Sequence, residues 1–118
     1  FDNTEAMINS LDIGWRNSSN LKKISSHTRD LFKRPVLKHE LLSFDAAIID
    51  PPRAGAERQT LEIANSKISR VAAISCNPIT FSRDAEILTR GGFNLDWVQP
   101  VDQFLWSSHI ELVAQFTR

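Results

Sequence analysis

The chain's only cysteine lies in the short polar stretch Ser75-Cys76-Asn77-Pro78. The run before it, 71–74, is short, uncharged and partly β-branched, which predicts a buried strand. Asn77 is a favourable N-cap and Pro78 suits the first helical position, so a helix should begin at once. Cys76 would then lie at a helix N-terminus, where the dipole favours the reactive thiolate. The position predicts a nucleophile, although a free cysteine is usually a small buried hydrophobe.

A second polar group, Asp50-Pro51-Pro52-Arg53, follows the apolar run 44–49. That run predicts the clearest buried strand of the chain, and the prolines end it because they cannot continue a central ladder. In open α/β sheets the carboxyl ends of the strands line the ligand crevice. We therefore expect Asp50 to project into such a crevice, whereas an ordinary strand exit would leave it as a solvated aspartate.

The two polar groups are expected to meet. A helix is predicted from residue 56 or 57 to 66, between the strand at 44–49 and the strand at 71–75. Strand, helix and strand in this space indicate a parallel, right-handed βαβ unit. If the two strands are neighbours, Asp50 and Cys76 face one crevice.

A third polar group leads into the strand predicted at 110–117. His109 and Glu111 are two residues apart and would share a face of an extended chain. A carboxylate beside a histidine, close to the apolar Phe104 and Trp106, could act as a general base. A single His or Glu is more often simply solvated.

The remaining pattern completes an α/β fold. Helices are predicted at 5–15, 38–42 and 80–90, and strands at 22–28 (weakly) and 93–100. The last two strands follow one another without an intervening helix, which predicts an antiparallel pair at the end of an otherwise parallel sheet. Arg83 and Asp84, inside one of these helices, are expected to be an exposed charge pair of little energetic value.

An aspartate, a cysteine and a glutamate in one crevice suit a particular chemistry. A thiolate can add to C6 of a pyrimidine ring, which makes C5 nucleophilic toward a methyl donor. A carboxylate then removes the C5 proton and the thiolate leaves, combining nucleophilic and general base catalysis.

Together these stretches resemble the RNA (uracil-5-)-methyltransferases, which use S-adenosylmethionine to form 5-methyluridine in tRNA and large-subunit rRNA. The matching motifs are Asp50-Pro51-Pro52-Arg53-Ala54-Gly55, Ser75-Cys76-Asn77-Pro78-Ile79-Thr80 with Arg83-Asp84, and Asp102, Phe104, His109 and Glu111. The resemblance implies that Cys76 is the nucleophile, that Glu111 is the general base and that Asp50 hydrogen-bonds the uracil. Arg53 shares the substrate motif with Asp50, without a defined role.

The resemblance also implies a partial Rossmann-like, S-adenosylmethionine-dependent methyltransferase fold, with a mostly parallel sheet and an antiparallel C-terminal pair. Asp2 falls where such enzymes hold the cofactor ribose and Asp30 where an acid meets the adenine; Asp50 borders the cofactor too. Leu105 and Ser107 stand where the family often has proline and threonine. A Gly-x-Gly loop is absent from the sequence.

We therefore expect residues 1–118 to be the C-terminal part of a catalytic domain, inactive by themselves. The first strand, the glycine-rich turn, an RNA-binding barrel and an iron–sulfur cluster would belong to the rest of the protein; this chain has no cluster ligands. Strand 44–49 would then have an unprotected edge, which invites self-association. No protein partner is evident from the sequence.

The composition of the chain limits which partners, metal sites and cellular compartments are expected. Fourteen basic and fourteen acidic residues give no net charge, so contact with RNA needs a local patch. One cysteine excludes an internal disulfide or a cysteine-cluster metal site and suits the cytoplasm. No run approaches the ~20 apolar residues of a membrane span.

Two other functions stay open on the sequence alone. Amino-group methyltransferases carry a related Asp-Pro-Pro motif followed by an aromatic residue, but here Arg53 follows, and such enzymes need neither Cys76 nor Glu111. The chain could also be a non-catalytic RNA-binding remnant, although intact Cys76 and Glu111 argue against decay. Neither tRNA nor rRNA is favoured, because that choice usually depends on RNA shape.

Overall fold

The computed structural model describes residues 1–102, 106 and 109–118. They form two compact units, Phe1–Pro35 and Val36–Arg118. We call them the amino-terminal and carboxyl-terminal units. No helix of the described residues is long and apolar enough to cross a membrane.

The amino-terminal unit contains one helix, α1 (Glu5–Arg16), which begins close to the predicted residue. The Thr4 side chain makes no capping bond; instead Asp2 Oδ1 accepts the N–H of Thr4 at 2.7 Å. The strand predicted at 22–28 is wrong: in this fully described unit Thr28 makes only a single parallel bridge, with Asp2. The segment lacks a regular alternation of apolar and polar residues, so little apolar surface is available to fix a longer pairing.

The carboxyl-terminal unit alternates strands and helices before it ends in two strands. A short 3-10 turn at Glu40–Ser43 replaces the short helix predicted there. The other elements are β1 (Ala46–Ile49), α2 (Glu57–Ala64), β2 (Arg70–Ser75), α3 (Pro78–Arg90), β3 (Asn94–Val101) and β4 (Glu111–Thr117).

The four strands form one mixed sheet in the order β1-β2-β4-β3. β1 and β2 are parallel, which confirms the βαβ unit, and β4 is antiparallel to both β2 and β3. The α/β class and the antiparallel C-terminal pair are therefore confirmed. β4 inserts between β2 and β3, so the last strand of the chain lies beside the strand that leads to Cys76.

The core follows the alternation in β4. Leu112, Ala114 and Phe116 are buried, and the ring of Phe116 contacts that of Phe81 on α3 with centroids 6.4 Å apart. Phe116 pairs with the equally buried Val71 of β2. Burying this stripe fixes the register, because a one-residue slip would turn every apolar side chain to the other face.

The burial predicted for the first strand is wrong. Ile48, in the middle of β1, is 79% exposed. β1 is the edge strand of the described sheet and pairs with β2 alone. An apolar strand is buried only if both of its faces are covered, and periodicity alone does not reveal that.

Candidate active site at the sheet end

The strand register brings Cys76 and Glu111 together. The last pair between the antiparallel β2 and β4 is Ser75 with Leu112. Cys76 directly follows Ser75, and Glu111, the first residue of β4, directly precedes Leu112. Directly opposed residues of an antiparallel pair have Cα atoms about 4.5–5.5 Å apart. Two residues 35 positions apart in the sequence therefore lie next to the same strand pair, at one end of the sheet.

Asp50 lies at the same end of the sheet. β1 is parallel to β2 with Ile49 beside Ala73, so Asp50 comes level with Ile74, two residues before Cys76. Asp50 is exposed and Cys76 is half-buried. The prediction that the two residues share one end of the sheet is confirmed, and β4 adds Glu111 to it.

The turn after Cys76 is built as the sequence predicts. α3 begins at Pro78, and Asn77 is its N-cap with Oδ1 accepting the N–H of Ile79 at 3.1 Å. Ser75 Oγ accepts the N–H of Asn77 and donates to the Asn77 carbonyl. Cys76 is thus held between a strand end and a helix N-terminus.

The backbone after Asp50 folds into a tight turn against α3. The N–H of Gly55 donates to the Pro52 carbonyl at 2.8 Å. The Arg53 carbonyl accepts two hydrogen bonds, from Asn77 Nδ2 at 2.9 Å and from Thr80 Oγ1 at 3.1 Å. The first two polar groups of the sequence are therefore joined by direct contacts.

The prediction of an exposed Arg83–Asp84 pair is wrong for Asp84, which is only 6% exposed. Its Oδ2 accepts the N–H of Ala56 at 2.6 Å, and its Oδ1 accepts from Nε and Nη2 of Arg83 at 3.0 and 2.8 Å. Asn77, Thr80 and Asp84 are spaced by three and four residues, so they lie along one face of α3. That spacing is the signal in the sequence from which the contact could have been predicted.

Arg53 connects this turn to the third polar group. Its Nη1 lies 3.3 Å from Nδ1 of His109, and because a guanidinium can only donate, the imidazole nitrogen accepts. Both side chains are exposed. His109 therefore orients the Arg53 guanidinium at the end of the sheet where Asp50, Cys76 and Glu111 lie.

Asp2 and Asp30 lie close together in the amino-terminal unit. Asp2 pairs with Thr28, and Asp30 follows two residues later. Desolvation by itself would raise the pKa of Asp30, but hydrogen bonds from the N–H groups of Lys33 and Phe32, with the Lys33 ammonium, outweigh it and lower the pKa. Asp30 is thus held as a carboxylate by the turn that follows it.

The third motif is described in part. Asp102 follows the end of β3 and is exposed, at the same end of the sheet as Glu111. Phe104, Leu105 and Ser107 lie outside the described residues. Within residues 1–102, 106 and 109–118, no group of three or more His, Cys, Asp or Glu side chains could hold a metal ion.

Comparison with known proteins matches this arrangement to one family. The sequence model of the tRNA (uracil-5-)-methyltransferase family matches residues 3–118. An uncharacterized RNA methyltransferase of Brucella suis biovar 1 is 51% identical over 117 residues, covering 99% of this chain and 28% of the relative. Another, from Caulobacter vibrioides, is 58% identical over 98 residues, covering 83% of this chain and 24% of the relative.

A solved structure has the same fold. The Pyrococcus abyssi tRNA (uracil-54, C5)-methyltransferase, in complex with S-adenosyl-L-homocysteine, superposes with a TM-score of 0.72 at 30% identity. The match covers 99% of this chain and 28% of that one. The chain thus spans about a quarter of the length of these relatives. With the family model matched over nearly all of its residues, the chain belongs to the tRNA (uracil-5-)-methyltransferase family.

Proposed function

We propose that this chain is the C-terminal catalytic portion of an RNA (uracil-5-)-methyltransferase. It would transfer a methyl group from S-adenosylmethionine to C5 of a uridine in tRNA or rRNA, through a covalent adduct between Cys76 and C6. The observation that supports the proposal is the strand register, in which Cys76 and Glu111 adjoin the last β2–β4 pair and Asp50 follows β1 at the same end of the sheet. Family membership supports the same reaction.

Each side chain has a defined task in this reaction. The Cys76 thiolate adds to C6 of the uracil, forming an S–C6 bond and moving electron density onto C5. When C5 carries both the methyl group and its original proton, Glu111 removes that proton. The electron pair of the C5–H bond then reforms the C5–C6 double bond and expels the thiolate. Asp50 hydrogen-bonds the uracil, and Arg53 helps to bind the substrate.

The amino-terminal unit has acceptors that suit the cofactor. When bound, S-adenosylmethionine would supply the electrophilic methyl group to C5 and would leave as S-adenosylhomocysteine, once the bond from its sulfonium sulfur to that methyl group breaks. The backbone bridge between Asp2 and Thr28 brings Asp2 close to Asp30, which lies two residues after Thr28. Carboxylates can accept hydrogen bonds from ribose hydroxyls and from an adenine amino group. We assign Asp2 to the ribose and Asp30 to the adenine; a contact of Asp50 with the cofactor stays a prediction from the family resemblance. An iron–sulfur cluster elsewhere in the full-length protein and a cytoplasmic location stay predictions.

Two substitutions in the full-length protein separate the nucleophile from the base. Cys76→Ala removes the addition step, so neither methylated uridine nor a covalent RNA adduct should form. Glu111→Gln preserves size but removes the base, and loss of a general base costs roughly 10²–10⁴-fold in rate. Release of the methylated RNA should then stall, and a protein–RNA adduct should survive denaturing electrophoresis.

Asp96→Asn is the matched control, because Asp96 is also a sheet carboxylate. It accepts hydrogen bonds from Gln115 and Thr117 near the opposite end of β4, so it should leave adduct formation unchanged. RNA containing 5-fluorouridine should trap the unmodified enzyme, because fluorine cannot leave as a cation. If Cys76→Ala still methylates C5 at a normal rate, the nucleophile is wrong; if the product carries its methyl group on an amino nitrogen, the reaction is wrong.

A further inference from the structure

The turn that carries the two proposed substrate-binding residues, Asp50 and Arg53, and leads into α2 is held against α3 by side chains of Asn77 and of α3. We call residues 50–56 the proline loop. Side chains from outside the loop bind three of its backbone groups: the carbonyl of Arg53, the carbonyl of Ala54 and the N–H of Ala56. The partners lie on Asn77 and on the first two turns of α3. The loop that carries Asp50 and Arg53 therefore takes its shape from the helix that follows Cys76.

Arg83 and Asp84 supply the contacts at the far end of the loop. Arg83 Nη2 donates to the Ala54 carbonyl at 3.1 Å and, with Nε, to Asp84 Oδ1. Asp84 Oδ2 accepts the Ala56 N–H at 2.6 Å. Both carboxylate oxygens are thus used, one on the loop backbone and one on the arginine that holds the loop. A buried carboxylate is stable only when it is satisfied in this way.

The packing around Gly55 shows how closely the loop fits this pair. Gly55 is buried with φ of +76°, a conformation that glycine adopts without strain. A Cβ atom there would lie 2.5 Å from Arg83 Nη2 and 2.8 Å from Asp84 Oδ2. Any larger residue would have to displace both the arginine and the carboxylate.

We propose that Asp84 and Arg83 are positioning residues, which hold the proline loop so that Asp50 and Arg53 meet the target uridine. The proposal rests on the proposed function, since it assigns the pair to the binding of that substrate. Neither side chain touches the RNA. They act through the loop backbone, and Asp84 is the residue on which the arrangement depends.

Asp84→Asn is the most direct test because it keeps the shape of the side chain. An amide has one oxygen and one NH₂ group. In either orientation the NH₂ group faces a donor, the Ala56 N–H or the Arg83 guanidinium, so one contact becomes repulsive. Glu86→Gln is the matched control: Glu86 lies two residues further along α3 and is exposed, paired with Arg90 at 2.6 Å.

Two readouts in the full-length protein decide the proposal. The first is hydrogen exchange of the Ala56 amide, which should accelerate about tenfold in Asp84→Asn and stay unchanged in Glu86→Gln. The second is methylation of total RNA from cells lacking the protein, with S-adenosylmethionine as donor. Here kcat/KM should fall about 10–100-fold, mostly through a rise in KM, because the uracil is held less well. The rate of Cys76 alkylation by iodoacetamide should change less than twofold.

The outcomes separate positioning from general stability and from the proposed function. If the Ala56 amide exchanges faster while methylation per folded molecule is unchanged, the pair is merely structural and the proposal is overturned. A rise in Cys76 alkylation that matches the loss of activity would overturn it too, because the whole site would have opened. If the wild-type protein does not methylate uridine C5, the proposed function fails, and the Ala56 exchange still reports whether Asp84 holds the loop. Arg83→Lys should fall between the wild type and Asp84→Asn in both readouts.

Discussion

Replacing Asn77 tests how the backbone next to Cys76 is held, because this side chain has two separable tasks. Its Oδ1 caps α3 by accepting the Ile79 N–H, and its Nδ2 donates to the Arg53 carbonyl. Asn77→Ala removes both contacts. Asn77→Ser keeps a capping oxygen, since serine caps helices about as well as asparagine, but it loses the donor to Arg53.

The expected costs follow from these contacts. Loss of the cap costs about 1 kcal/mol. Loss of the bond to Arg53 costs about 0.5–1 kcal/mol, the low end of the usual range, because Thr80 Oγ1 still donates to the same carbonyl. The free energy of unfolding should therefore fall by about 1.5–2 kcal/mol in Asn77→Ala and by about 0.5–1 kcal/mol in Asn77→Ser.

Hydrogen exchange of the Ile79 amide isolates the cap. A loss of about 1 kcal/mol corresponds to roughly fivefold faster exchange in Asn77→Ala, whereas Asn77→Ser should stay close to wild type. Asn65→Ala is the control: Asn65 lies at the C-terminal end of α2, where its Nδ2 donates to Leu61, and should leave Ile79 unaffected. Equal Ile79 exchange rates in the wild type and both Asn77 variants would refute the capping argument.

Three further predictions concern the rest of the chain. Arg118→Ala should lower the free energy of unfolding, measured by urea denaturation, by about 2 kcal/mol. The reason is that the guanidinium donates to four carbonyls and lies over the Phe93 ring. A decrease of less than about 0.5 kcal/mol would contradict this. The pKa of Asp30 is lowered in the folded chain, so its ionised carboxylate stabilises the fold at pH values above the ordinary carboxyl pKa. This contribution should be lost as the pH falls through the lowered pKa. NMR titration should show the pKa still lowered in Lys33→Ala, since the backbone bonds outweigh the ammonium; a return to the ordinary value would show that the ion pair dominates. Because β1 is an edge strand of the described sheet with Ile48 exposed, the 118-residue chain should self-associate in sedimentation velocity. The Ile48→Lys variant should suppress this association. If the variant associates as strongly as the wild type, the β1 edge is not the cause.

Local chemistry in the sequence determined much of the fold. A helix starts at Asn77 and Pro78 because the Asn77 side chain caps it and the Pro78 backbone has no N–H to leave unpaired. The alternation in 111–117 determines which face of β4 is buried. The polar groups at Asp50 and Cys76 could be placed at one end of a sheet because the two strands of a βαβ unit are parallel, so their carboxyl ends lie at the same edge.

Other features depend on contacts between distant parts of the chain. The insertion of β4 between β2 and β3, which brings Glu111 to the sheet end where Cys76 lies, is decided by how three strands share one sheet. The exposure of Ile48 depends on whether another element covers its face of β1, and an apolar run in the sequence does not show whether one does. Aspartate is a residue type that usually lies at the surface, yet Asp84 is buried. It is buried because the N–H of Ala56 in the proline loop, 28 residues away in sequence, donates a hydrogen bond to it. Burial of a charge depends on its partners, and only the tertiary structure decides which partners come within reach.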